Sequence, residues 1–177
     1  MLEITLGGTG GQGLILAGII LAEAAILDGK QVVQTQSYGP EARGGASKAD
    51  VIISNHGIDY PKVLAPDILL VMSQEACDKY ACLLKSGGKL LLDTTFVKKT
   101  MPELEAEFIE LAITQAARKE FGNPVFANII ALGALVEATG IVSEASLRAA
   151  VLARVPKGTE EKNQAALALG KTLYKNN

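Results

Sequence analysis

Residues 7–13 read GGTGGQG and lie between two apolar runs, LEITL before them and LILAGIILAEAAIL after them. Gly8, Gly10 and Gly13 match the pattern G-x-G-x-x-G in the strand-to-helix setting that this pattern requires. Backbone amides in such a loop, together with the N-terminus of the following helix, favour a bound anion such as a phosphate. The stretch therefore predicts an anion or nucleotide site, or else a tight turn in which the glycines serve close packing alone.

The residues around this loop argue against two kinds of nucleotide site. A dinucleotide site needs Asp or Glu at the end of the second strand to hold the ribose hydroxyls, and Gln36 and Ser37 stand there instead. A phosphate-binding P-loop needs Lys and then Ser or Thr after its last glycine, whereas Leu14 and Ile15 follow Gly13. We therefore expect no useful binding of NAD or NADP and no ATP hydrolysis.

A second unusual stretch, QSYGPEARGGAS at residues 36–47, follows the predicted second strand. Its glycines and proline fix unusual backbone angles, while Tyr38, Glu41 and Arg43 supply an aromatic face, an acceptor and a bidentate donor. Because both loops follow parallel strands, they are expected to face each other at one rim of the sheet. The alternative is an ordinary surface loop with an internal contact between Glu41 and Arg43, which would contribute little energy.

The remaining residues that could do chemistry give weaker signals. His56 is the only histidine, and no Ser or Cys motif accompanies it to form a positioned base. Cys77 and Cys82 lack a companion cluster, which indicates reduced structural thiols rather than metal or iron–sulfur ligands. A net charge of −2 does not indicate the basic surface that a nucleic-acid-binding protein needs. Without a signal-peptide pattern or a long apolar span, we expect a cytoplasmic protein that binds neither nucleic acid nor membrane.

The elements that must position these loops alternate between strand-like and helix-like runs. Strands are predicted over residues 2–6, 31–36, 49–54, 67–72, 89–93 and 107–111, and helices over residues 13–27 and 74–84. The first strand, first helix and second strand are predicted to form a right-handed βαβ unit. We therefore expect an α/β fold, a Rossmann-like and mostly parallel sheet with helices on both faces.

The C-terminal part, from about residue 124 to residue 177, is predicted to be helical. Helix starts are indicated at Asn123-Pro124, at Ser143-Glu144 and at Thr159. The whole chain, residues 1–177, is long enough for a sizeable core and is expected to form a single domain.

Asn128 is a polar residue on an otherwise apolar helix face. On the predicted helix 126–137 it shares that face with Leu132 and Leu135, which are expected to lie in the core. A buried asparagine must find hydrogen-bond partners. Asn128 is therefore predicted to hold a neighbouring loop in place rather than to contact a substrate.

GGTGGQG, SYGPEARGGAS and the downstream NIIALGAL at residues 128–135 resemble the gamma subunit of the 2-oxoacid:ferredoxin oxidoreductases, in the same order and with similar spacing over almost the whole chain. The first motif is similar to the family pattern GxGGQG and the second to SYGPExRGG. The resemblance implies two loops that face a cofactor or a partner, made of Gly8, Thr9, Gly10, Gly11, Gln12, Gly13, Ser37, Tyr38, Gly39, Pro40, Glu41, Arg43, Gly44 and Gly45, with Asn128 in support. Ala46, Ser47 and Lys48 stand where some relatives carry a cysteine nearby, which leaves the substrate subtype open.

The resemblance also implies a division of labour between subunits. Such enzymes cleave a 2-oxoacid with coenzyme A to give acyl-CoA, carbon dioxide and reduced ferredoxin. Thiamine diphosphate, magnesium and iron–sulfur clusters would sit on the alpha, beta and ferredoxin-like delta subunits, with ferredoxin as the electron acceptor. This chain has no cysteine cluster, no GDG motif and no positioned base. It is therefore expected to bind no cofactor alone, to carry no catalytic residue, and to support the active site and the path of coenzyme A.

Two functions of different classes stay open at this point. The chain is either an accessory subunit of a multisubunit oxidoreductase or a stand-alone Rossmann-like protein that binds coenzyme A or a nucleotide. A mean hydropathy of +0.25 favours the first, because obligate partner interfaces are large and apolar, although a sheet covered on both faces would raise it too. The ending GTEEKNQAALALG favours 2-oxoglutarate or a branched-chain 2-oxoacid over pyruvate.

Overall fold

The computed structural model describes residues 1–37, 46–101 and 103–177. Within them, six strands form one sheet: β1 (Leu2–Thr9), β2 (Gln31–Gln36), β3 (Ala46–Ser54), β4 (Ile68–Val71), β5 (Gly88–Asp93) and β6 (Ala106–Leu111). The α-helices are α1 (Leu14–Leu27), α2 (Gln74–Tyr80), α3 (Ile113–Phe121), α4 (Ala127–Thr139), α5 (Glu144–Arg154) and α6 (Glu160–Lys175). Single 3-10 turns follow α2 and precede α4. The predicted α/β fold with a helical C-terminal part is confirmed.

The strand order is β2-β3-β1-β4-β5-β6. β1, β4, β5 and β6 are parallel neighbours, whereas β3 runs antiparallel between β1 and β2. β2 runs in the direction of β1, as the predicted βαβ unit requires, but the antiparallel strand β3 lies between them. The physical reason is apolar content: Val51, Ile52 and Ile53 of β3 are all buried, whereas the half-polar QVVQTQ of β2 suits an edge.

Two strands extend further than predicted, and both extensions reach the glycine motif. β1 continues through Gly8 to Thr9, and β3 begins at Ala46. The register pairs Gly8 with Ser47 and Thr9 with Ala46. Only residues 10–13 of GGTGGQG therefore form the loop proper.

Helices cover both faces of the sheet. The larger core lies between one face and α1, α4 and α5, and includes Ile4, Leu70 and Ile130. α2 packs on the other face through Ala76 and Tyr80. Ser143 caps α5 as predicted, since its Oγ accepts the Ser146 N–H at 3.1 Å. No helix in the described ranges combines the length and the apolar character that crossing a bilayer requires.

α4 and α6 lie unusually close together because glycines face backbone atoms at their contact. A Cβ on Gly133 would lie 2.3 Å from the Leu167 carbonyl oxygen, and a Cβ on Gly170 would lie 2.0 Å from the Ile130 carbonyl oxygen. Both distances are far inside van der Waals contact. Only glycine at these two positions therefore allows α4 and α6 to pack this closely.

Candidate functional site

The carboxyl end of β1 and the end of β2 lie at the same rim of the sheet. Gln36 pairs with Ala49 of β3, and the Ser37 N–H donates to the Lys48 carbonyl oxygen at 3.0 Å. Three residues further back along β3, Ala46 pairs with Thr9. Ser37 and the glycine loop therefore leave the sheet on the same side. The other predicted residues of the second motif lie outside the described residues; they are Tyr38, Gly39, Pro40, Glu41, Arg43, Gly44 and Gly45. That they face the glycine loop stays a prediction.

Gln12 ties the glycine loop to the sheet. Its Oε1 accepts the Thr9 N–H at 2.8 Å, and its Nε2 donates to the Met72 carbonyl oxygen at 2.7 Å. Met72 directly follows β4, so one side chain joins the ends of two parallel strands. A Cβ on Gly8 would lie 2.3 Å from Gln12 Oε1, so glycine at position 8 leaves room for this side chain. Gln12 shapes the loop from within.

Gly13 and Asn128 form the second fixed point of the loop. Gly13 has φ 74° and precedes α1 in a left-handed conformation that suits glycine. Asn128, 5% exposed, donates from Nδ2 to the Gly13 carbonyl oxygen at 3.2 Å, and its Oδ1 accepts the Ile129 N–H at 2.9 Å. A Cβ on Gly13 would lie 2.5 Å from Asn128 Nδ2. The structure thus places the polar residue of NIIALGAL against the glycine loop.

The start of α1 keeps free donors beside the loop. Among the described side chains none caps this helix, and its first turn carries no acidic residue. The amides of the first turn therefore keep hydrogen-bonding capacity at the positive end of the helix dipole. At Gly11, with φ 91°, no described atom lies within 4 Å of the position a Cβ would take, so the loop is open there. The loop can therefore accept an anion, although the Thr9 N–H is already bound by Gln12.

A cleft of about 620 Å³ opens beside the loop, between the ends of β1 and β4 and the start of α4. Leu16, Met72 and Val155 contribute to its largely apolar wall. Arg118 is the one charged side chain among the described residues that line the cleft, and its guanidinium carbon lies 6.0 Å from the centre of the Phe96 ring. Apolar walls with amide donors and one cation suit an elongated ligand that carries anionic groups.

Asp93 organises the far side of this cleft, and sequence reasoning missed it. The carboxylate is fully buried at the end of β5. Its Oδ2 accepts the Thr114 hydroxyl at 2.5 Å and the Thr114 N–H at 3.1 Å, and its Oδ1 accepts the Thr95 N–H at 3.0 Å. These bonds fix the start of α3 and the turn that carries Phe96. The signal was present as an Asp that ends the apolar run LLLD and must find donors when buried.

The other titratable candidates lie apart from the cleft. His56 is exposed after β3, and its backbone N–H donates to Ser54 Oγ at 3.1 Å. Cys77 and Cys82 are both free, and burial raises the pKa of the Cys77 thiol, which keeps it protonated and unreactive. The described ranges contain no group of three His, Cys, Asp or Glu residues that could hold a metal ion.

A sequence model of the family described as pyruvate ferredoxin/flavodoxin oxidoreductase matches residues 3–173, which include both motifs and the whole of the cleft. The chain belongs to this family. A 2-oxoglutarate synthase subunit KorC of Methanocaldococcus jannaschii is 53% identical over 175 residues, which are 98% of this chain and 94% of the relative. The common subunit gamma of the pyruvate/ketoisovalerate oxidoreductases of Pyrococcus furiosus is 34% identical, over 94% of this chain and 93% of the relative.

The same assignment holds at the level of structure. The crystal structure of a keto/oxoacid ferredoxin oxidoreductase gamma subunit from Geobacter sulfurreducens is 48% identical, with a TM-score of 0.90 and complete coverage of both chains. Within the pyruvate ferredoxin/flavodoxin oxidoreductase family, this chain is a gamma subunit of a 2-oxoacid:ferredoxin oxidoreductase, as its motifs predict. Its place is in a multisubunit enzyme.

Proposed function

We propose that this chain is the gamma subunit of an enzyme that oxidises 2-oxoglutarate with coenzyme A. The observation that supports this substrate assignment is the difference in sequence identity: 53% to a 2-oxoglutarate synthase subunit and 34% to a pyruvate/ketoisovalerate gamma subunit. Both comparisons span more than nine-tenths of the chain, so the difference does not come from a missing segment. The C-terminal sequence independently favours 2-oxoglutarate or a branched-chain substrate over pyruvate.

In the proposed reaction the bond between C1 and C2 of 2-oxoglutarate breaks. C1 leaves as carbon dioxide, the sulfur of coenzyme A forms a thioester with C2, the thiol proton is released, and two electrons pass to ferredoxin. Thiamine diphosphate, magnesium and iron–sulfur clusters on the alpha, beta and ferredoxin-like delta subunits supply the carbon and electron chemistry. The proposed role of the gamma chain is to bind and position coenzyme A.

We assign the cleft beside the glycine loop to coenzyme A. Its phosphates suit the amides of residues 10–13 and of the first turn of α1, and Arg118 offers a charge-assisted contact in the same cleft. The apolar wall suits the uncharged pantetheine arm. Gln12 and Asn128 hold the loop in the required shape. For the second motif, residues 37–45, we propose contact with a partner subunit.

The experiment that tests this function is substrate competition on the assembled enzyme. The complex that contains this chain is purified, and coenzyme A-dependent reduction of ferredoxin is measured with 2-oxoglutarate, pyruvate and 3-methyl-2-oxobutanoate. We expect kcat/KM for 2-oxoglutarate to exceed the other two by about tenfold or more, which corresponds to about 1.4 kcal/mol of discrimination. A preference for pyruvate overturns the substrate assignment. Turnover by the isolated gamma chain with added thiamine diphosphate overturns the non-catalytic role.

A further inference from the structure

The two edge strands of the sheet differ in composition. β6 reads AEFIEL and carries Glu107 and Glu110, and charged residues on an edge strand discourage pairing with another strand. β2 reads QVVQTQ and contains neither a charged residue nor a proline. β2 thus lacks the side chains that ordinarily protect an exposed edge.

The ladder between β2 and β3 shows which backbone groups of β2 point outward. The Ser37 N–H donates to Lys48 O, and hydrogen-bonded residues alternate along an antiparallel pair. Thr35 and Val33 therefore share their backbone bonds with β3, while the N–H and C=O groups of Val32 and Gln34 point away from it. In the described part of the chain, β3 is the only strand that pairs with β2.

α1 adds an apolar surface beside this edge. Apart from Glu23, its sequence LILAGIILAEAAIL is apolar all round the helix, which is typical of a helix covered on most sides. Ile15 and Ile19 are nevertheless only partly buried, and Ile26 is 60% exposed. Their spacing places the three side chains on one face of the helix, here named the isoleucine stripe.

Two neighbouring contacts fix the direction in which the isoleucine stripe faces. On one side of it, Gly18 packs against the sheet, where a Cβ would lie 2.8 Å from Ala49 Cβ of β3. On the other side, Glu23 forms an ion pair with Arg154 of α5. The stripe therefore lies on the outer flank of α1, on the side of the β2 edge.

We propose that β2 and the isoleucine stripe form the contact surface for a second copy of this chain. A two-fold axis at Val33 pairs β2 antiparallel with β2 of the copy, so that Val32 and Gln34 exchange four backbone hydrogen bonds and the sheet continues across the contact. The same axis brings the two isoleucine stripes together. A two-fold contact uses one patch twice, and an uncharged strand beside an isoleucine stripe is self-complementary. At the β6 edge, the carboxylate of Glu110, together with Glu107, which pairs with Lys89 of β5, would oppose such pairing.

A designed crosslink tests the register directly. Val33 would face its own copy in a non-hydrogen-bonded pair, in which Cα atoms lie about 4.5 Å apart, within the range of about 4.4–6.8 Å that a disulfide spans. We expect full-length Val33→Cys, in a Cys82→Ser background, to form a covalent dimer on mild oxidation. Gln31→Cys on the same strand is the matched control, because its own copy would lie roughly 13 Å away. Crosslinking of Gln31→Cys as readily as Val33→Cys overturns the register.

Sedimentation of the full chain tests the contact without any crosslink. We expect the wild-type chain to dimerise, and Val33→Lys and Ile26→Glu each to raise the dimer dissociation constant by about tenfold or more. Phe108→Lys places the same charge on the β6 edge and should leave the constant unchanged, with circular dichroism confirming the fold of each variant. A wild-type chain that stays monomeric at every concentration overturns the proposal. So does a monomeric chain in which Val33→Lys blocks assembly with other subunits, because the edge then belongs to one of them.

Discussion

The two ends of the sheet are held together by different interactions. At the carboxyl end, uncharged amide side chains do this work, with Gln12 joining Thr9 to Met72 and Asn128 holding Gly13. At the amino end, charged groups predominate. Lys85 lies 2.8 Å from an Asp67 oxygen and 3.5 Å from a Glu3 oxygen, and Asp28 accepts hydrogen bonds from Ser143 and Ser146.

The difference follows from what each end has to do. An amide side chain satisfies buried backbone groups without placing a negative charge beside a loop whose donors attract an anion. Two carboxylates are buried among the described residues, and the bonds of both are occupied: Asp50 is bound by Lys48 and Thr5, and Asp93, beside the cleft, is bound by Thr95 and Thr114. The amino end has no such requirement. Its exposed ion pairs are the kind that contributes at most about 1 kcal/mol each.

The largest effect is expected at Gly13. Gly13→Ala would force a side chain into a left-handed conformation and within 2.5 Å of Asn128 Nδ2. We expect a loss of about 2–4 kcal/mol in the free energy of unfolding, measured by denaturant titration. Gly11→Ala is the matched control, since its φ is also positive but no described atom crowds its Cβ, and it should cost only about 1–2 kcal/mol. Equal losses in the two variants would contradict the role given to Asn128.

Gln12 should come next. Gln12→Ala leaves the Thr9 N–H and the Met72 carbonyl without a partner, which costs about 1–3 kcal/mol of stability. Gln12→Glu keeps an acceptor for Thr9 but sets a carboxylate oxygen against the Met72 carbonyl, so it should be no better than Ala. The control is Gln115→Ala on α3, where an exposed side chain is removed at a cost below about 0.5 kcal/mol. A fully stable Gln12→Ala chain would show that the strand ends do not depend on this bridge.

Arg118 tests the ligand assigned to the cleft, with a smaller effect. In the assembled enzyme, Arg118→Ala is expected to raise KM for coenzyme A about tenfold, the effect of losing roughly 1.4 kcal/mol of charge-assisted binding. KM for 2-oxoglutarate should not change. Lys119→Ala removes a neighbouring exposed cation that does not line the cleft, and should leave both constants unchanged. Equal shifts for the two substrates would assign Arg118 to assembly instead of to coenzyme A.

The carboxyl end also shows how far sequence reasoning reaches. The strand, glycine turn and helix around residues 7–13 are local, so spacing and residue type predict them well. Asn128 could be singled out because a polar residue on an apolar helix face must find a partner. The Gln12 side chain points into the loop because it binds the Met72 carbonyl oxygen, sixty residues away in the chain. No local sequence pattern predicts a contact over such a separation. The insertion of β3 beside β1 likewise depends on competition between two strands for a buried position.

The smallest expected effect lies at the amino end, at Asp28. The Ser146 hydroxyl has the largest effect on the pKa of this carboxyl and lowers it. Burial opposes this as the next largest effect, but the Ser143 N–H, the Ser143 hydroxyl and the charge of Lys30 lower the pKa further, so that it lies below its ordinary value of 3.8. A carboxyl with a lowered folded-state pKa contributes stability that is complete above the unfolded-state value and disappears as the pH falls through the folded-state value. Asp28→Asn should therefore lower the free energy of unfolding by up to about 1 kcal/mol near neutral pH. The difference in unfolding free energy between this variant and the wild type, here called the gap, should narrow below about pH 4. Asp59→Asn, at an exposed carboxylate without a hydrogen bond in the described part of the chain, should give a gap near zero throughout. Urea titrations from pH 7 to pH 3 measure both gaps, and an Asp28→Asn gap that stays constant over this range would show that the carboxylate does not hold the start of α5 through its charge.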